Sequence, residues 1–127
     1  MKRRTPRPQQ QLLAQLDALL EALSEVSFPN LEARGGWDRA LFDAVLARVE
    51  TLTPDFQAAL VAYLAAASPP AAEIEALLAV DRLSAAYTYW TRLFPPRQTD
   101  EAMFVLSLLH DLGERVEYAI EALEARH

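Results

Sequence analysis

The two histidines are the first candidates for catalysis or metal binding in this 127-residue sequence, because imidazole both titrates near neutral pH and ligates metals. His127 is the last residue of the sequence. His110 falls inside a helical pattern, where Glu114 at i+4 and Glu117 at i+7 share its face. Metal sites in helix bundles need more than one such row, typically a Glu-x-x-His motif on each of two helices plus further glutamates. The sequence contains no Glu-x-x-His. The expectation is no metal and no cofactor, with Glu114 and Glu117 on a solvated face.

His110, Leu112 and Gly113 resemble the His-x-Leu-Lys-Gly pattern of histidine phosphotransfer domains, which carry a phosphoryl group on an exposed histidine of a small acidic bundle. The resemblance implies His110 as the phosphoryl carrier. It covers three residues: the glycine comes one place early, the lysine is missing, and Asp111, Glu114 and Glu117 surround the position with charge that repels an anion. Helical RNases of the HEPN type place a histidine four to six residues after an arginine. Here Arg97 precedes His110 by 13 and Arg115 precedes His127 by 12, and only Arg82 with Tyr87 comes near the spacing. With no cysteine and three glycines there is no thiol nucleophile, phosphate-cradling loop or dinucleotide fingerprint. The chain reads as having no catalytic residues, with a phosphotransfer module on His110 as one alternative.

Surfaces are the remaining candidates. Tyr87, Tyr89, Trp90 and Phe94 span more than one helical face, so one core cannot take them all, and Arg92 lies among them; these are residue types enriched in binding hot spots. Glu114, Glu117, Glu121 and Glu124 form an acidic row that could dock a basic partner. Lys2, Arg3, Arg4 and Arg7 make a basic arm that could contact nucleic-acid phosphates and release counterions.

The elements that must position these residues are helices. Nearly all of the eight prolines and three glycines fall in a few short stretches, and the segments between them carry helical periodicity. Over residues 9–26, Leu12, Leu16, Leu19, Leu23 and Val26 repeat at spacings of 4, 3, 4 and 3, with Leu13 and Leu20 widening the stripe. Residues 27–36 read as a loop, with one turn of helix after Asn30 as an N-cap. A second helix is predicted over 37–52. Thr53 followed by Pro54 reads as N-cap and first residue of a third helix over 54–67, apolar almost all round and hence expected at the centre. A fourth follows over 71–94. Pro95 and Pro96 end it, and a last helix runs to about residue 125, with Val105, Leu109, Leu112, Val116, Ala119 and Leu123 on one seam. The segment from Thr88 to Thr91 favours strand by composition, but it has no partner.

Composition agrees with one all-α domain: 52% of residues are hydrophobic, enough to bury a core, and 127 residues can bury about two thirds of the unfolded surface. The domain division expected is a flexible arm over 1–8 and a bundle of about five helices over 9–127. The net charge of -6 conceals four positive charges in the first eight residues, so the rest, with 18 acidic side chains, repels nucleic acid and anionic lipid. The opening MKRR leads into TPRPQQQ rather than an apolar run, and the apolar stretches 56–67 and 102–109 are too short to span a bilayer. A cytoplasmic protein with no membrane contact is expected. Its function is read as protein–protein interaction, as a structural subunit of a larger assembly; a nucleoprotein subunit contacting RNA or DNA through the arm is the other alternative. The first and last helices carry more large apolar residues than one neighbour covers, which predicts a homo-oligomer or a hetero-complex through Leu13, Leu20, Phe104 and Leu108.

Overall fold

The computed structural model describes residues 7–33, 35 and 38–125, with Phe28 and Thr99 described by their backbone alone. Lys2, Arg3 and Arg4 of the basic arm lie outside the described residues, as do Trp37 and His127. The helices are α1 (Pro8–Ser24), α2 (Phe28–Ala33), α3 (Arg39–Ala66), α4 (Ala71–Leu93) and α5 (Thr99–Glu124). The class is all-α, and no strand occurs among the described residues.

The stripes expected for the first and last helices are the buried faces of α1 and α5. Leu12, Leu16 and Leu19 on α1 and Leu112, Val116, Ala119 and Leu123 on α5 are wholly excluded from solvent. Pro8 opens α1, where its missing N–H costs nothing. The Asp38 side chain caps α3 by accepting from the Leu41 N–H at 3.3 Å.

Three expectations about the middle of the chain are overturned. Thr53 and Pro54 do not start a helix: residues 39–66 form one helix of 28 residues, with Pro54 inside it. The bundle is therefore four long helices and one six-residue helix among the described residues. Pro54 has no N–H for the Glu50 carbonyl, and the helix continues because neighbouring contacts hold it. The Thr53 hydroxyl lies 2.7 Å from the Val49 carbonyl, to which it donates, and 2.8 Å from Ser84 Oγ on α4. A side chain expected to cap a helix instead ties two together. The loop expected over 27–36 is also partly helical: Asn30 sits within α2 and donates to the Glu25 carbonyl rather than capping a turn. Leu31 of α2 is buried in the core.

The segment 54–67 is not central either. Phe56, Ala59, Leu60 and Tyr63 are buried, while Gln57, Ala58, Val61, Ala62, Ala65 and Ala66 face solvent. Alanine explains the difference, since it extends an apolar pattern without adding much area that must leave water. α1 packs between α3 and α5, and α4 closes the ring on its other side, so no helix sits in the middle. Neighbours run antiparallel, as short connections require. Gln9 Nε2, at the start of α1, donates to the Leu123 carbonyl at the end of α5 over 3.0 Å.

Pro54→Ala restores a donor to the Glu50 carbonyl on an exposed helix face. It is expected to raise unfolding stability by about 1 to 3 kcal/mol in denaturant titration. A fall in stability would show that the ring itself supports the packing on α4.

Candidate protein-interaction surface

Along the α3–α4 seam the two helices are joined by polar side chains, and each step forward on α3 meets a step back on α4. Tyr63 Oη donates to Glu73 Oε2 at 2.6 Å, with both side chains buried. Gln57 Nε2 donates to Asp81 Oδ1 at 2.8 Å, and the Thr53–Ser84 contact follows. At the far end Arg92 grips Glu50 with two bonds, Nε to Oε2 at 2.9 Å and Nη2 to Oε1 at 2.6 Å. That hydrogen bond holds the Glu50 carboxyl below its ordinary value of 4.5 against the opposing effect of burial, and it raises Arg92. Tyr87 beside this pair is fully buried, and its hydroxyl has no hydrogen-bond partner among the described residues. Burial, and then the Glu50 charge, pushes Tyr87 well above the ordinary tyrosine range.

The seam fixes which face of α4 turns inward. With Ser84, Tyr87 and Thr91 buried, Tyr89, Trp90, Leu93 and Phe94 turn out, exposed by 61, 47, 53 and 67%. Trp90 and Phe94 stack one turn apart, with ring centroids 5.9 Å apart and planes 15° apart, and Tyr89 meets Trp90 edge-on at 5.2 Å. Across the 94–98 turn, α5 begins with Met103 and Phe104 exposed by 47 and 65%, while Val105 and Leu106 are buried. A groove of about 740 Å³ lies between the two helices, lined by Trp90, Phe94, Phe104 and Leu108 and bearing Arg97 and Glu101 as its charged members.

Of the residues singled out in the sequence, Trp90, Phe104 and Leu108 are thus brought together, with Tyr89 against Trp90. Arg92 is engaged with Glu50 and lines a neighbouring groove with Tyr89. Leu13 and Leu20 are half-buried and packed on the core, apart from that cluster; Leu20 lines a different groove with His110, Gly113, Glu114 and Glu117. His110 is exposed, and its Nε2 lies 2.9 Å from Glu114 Oε1. Arg7 is exposed at the start of α1. Sequence reasoning missed Leu93 and Met103 as surface residues, and Arg97 with Glu101 as their polar neighbours. The available signal was the crowding of large apolar residues on both sides of Pro95 and Pro96.

Among the described residues no three His, Asp or Glu side chains are grouped to hold a metal ion, and no helix is long and apolar enough to cross a membrane. Comparison with protein-family models, curated proteins and solved structures finds no match to this chain.

Two tyrosines give opposite expectations. Tyr63→Phe deprives buried Glu73 of a hydrogen bond and should cost about 1 to 3 kcal/mol, whereas Tyr87→Phe removes a buried hydroxyl without a partner and should be neutral or stabilising. Denaturant titration of both variants separates them. For Glu50 the folded value is depressed, so its contribution is present above the ordinary value of 4.5 and is lost as pH falls through the folded value. Arg92→Gln should therefore lower the melting temperature slightly at neutral pH, where the contribution is present, and flatten its loss on acidification below about pH 5, so that the variant and the wild type converge in acid.

Proposed function

We propose that this chain is a non-catalytic protein-interaction or structural subunit of a larger cytoplasmic assembly, with the α4–α5 elbow as its contact surface. The observation that carries the reading is the apolar patch of Trp90, Leu93, Phe94, Met103 and Phe104, every member at least 47% exposed. Taking about 150 to 250 Å² for an aromatic side chain, and rather less for leucine and methionine, the patch presents roughly 600 Å², the upper end for a chain that works alone. Aromatic side chains with few rotamers make good anchors, because ordering them on binding costs little entropy. The polar seam behind them holds α4 in register and presents the rings as a preorganised set.

His110 supports phosphoryl transfer less well, because Glu114 engages its ring and Glu117 lines the same groove. A nucleic-acid role through the basic arm gains nothing from the exposed carboxylates of Glu114, Glu117, Glu121 and Glu124 on α5.

A photo-crosslinking amino acid placed at Phe104, expressed in the protein's own cells, is expected to yield a covalent adduct with a protein. The same probe at Val61, exposed by 67% near the opposite end of the bundle, should not. Equal or absent labelling at the two positions would overturn the reading.

A further inference from the structure

Resting on that reading, we infer that the partner of the α4–α5 elbow is a second copy of this chain, joined about a two-fold axis. Three observations on the same patch point to it. The first is shape. A two-fold interface must fit itself, so one surface has to carry both the projection and the recess. Phe94 and Phe104, both largely exposed, line a groove of about 740 Å³ together with buried Val105 and half-buried Leu108. Rings of one copy can enter the groove of the other, and the exchange is reciprocal.

The second is charge. The lining carries one cation, Arg97, and one anion, Glu101. The Glu101 carboxylate accepts from the Arg97 backbone N–H at 2.6 Å, which leaves the Arg97 guanidinium without an ion pair among the described residues. Across a two-fold axis, Arg97 faces the partner's Glu101 and Glu101 faces the partner's Arg97, so both charges are matched twice. Two copies of a chain with net charge -6 repel at long range, and a surface that is locally balanced is where they can meet. A strongly basic partner would be drawn instead to the carboxylate row of α5.

The third is area. Roughly 600 Å² of apolar surface from each chain gives roughly 1,200 Å² in a pair before the polar rim is added, which reaches the lower bound for specific interfaces. That size fits a reversible dimer better than an obligate one.

The test is sedimentation equilibrium of the full chain from low to high micromolar concentration, with circular dichroism melts to confirm folding. The wild type should pass from 14.2 kDa to twice that mass. Phe94→Glu and Phe104→Glu, both at exposed positions, should weaken association by about 100-fold. Arg97→Glu alone and Glu101→Arg alone should each weaken it by placing like charges opposite one another. An equimolar mixture of those two variants should dimerise again, because each carries the charges that the other requires. Arg97→Glu keeps the backbone N–H bonded to Glu101, so its own fold is preserved. Restoration on mixing is a result that damage to the fold cannot give.

A wild-type chain that stays monomeric throughout overturns the dimer. So does a dimer indifferent to all four substitutions, or a mixture that remains monomeric. A monomer that still forms an adduct at Phe104 with a different protein overturns the second copy as partner and keeps the interaction reading. A monomer with no such adduct overturns both.

Discussion

Leu12, Leu16 and Leu19 on α1 lose all contact with water, and they can do so only because α3 and α5 close on that helix from two sides. A stripe widened by Leu13 and Leu20 is broader than one neighbouring helix covers. The ring follows from this demand. α1 takes two neighbours, and α4 must then bridge those two neighbours to complete the enclosure. Each fully buried leucine is worth about 1.5 to 3 kcal/mol relative to exposure, so the stripe is a large part of what offsets the entropy of ordering the chain.

Burial of this kind says little about register, because a seam of leucines tolerates displacement by one turn better than a polar pair does. The α3–α4 seam supplies the discrimination. If α4 slid by a turn, Tyr63 and Glu73 would lose their mutual hydrogen bond in a buried site, and Thr53 would lose Ser84. The cost of leaving such groups unmatched exceeds what the matched pairs contribute, so the seam selects one alignment more than it strengthens the fold. Tyr87 goes in, and Trp90 and Phe94 go out, with the face of α4 that the seam shares with buried Leu77 and Val80. The surface chemistry of the elbow is thus set by contacts on the opposite side of the same helix.

The parts legible in the sequence were those written in large side chains at regular spacing. The seams of α1 and α5 could be read residue by residue, because a leucine or valine every three or four positions has few other uses. The middle of the chain was less readable, for two physical reasons. Thr53 before Pro54 is a sound local start signal, and nothing near it in the sequence shows that the helix runs through it or that Thr53 pairs with Ser84, 31 residues away. Alanines at 58, 62, 65 and 66 look apolar in a pattern while demanding little burial, so the segment read as central. The elbow was half legible: too many aromatic residues for one face implied exposure, but which rings stay outside depends on the polar pairing between helices. That pairing has no signature along a single segment.

Pro54 carries a consequence for the continuity of α3. With the Glu50 carbonyl deprived of its amide donor, α3 lacks one rung of its backbone ladder, and beside that rung the Thr53 hydroxyl bonds the Val49 carbonyl and meets Ser84 Oγ of α4. An isolated peptide of residues 39–66 would therefore be weakest at Pro54, with a segment on either side of about the length, roughly 12 to 15 residues, at which a helix is only marginal alone in water. Continuity of α3 belongs to the assembled bundle and not to the segment. The packing of α4 against α3 is part of what makes the longest helix among the described residues one element.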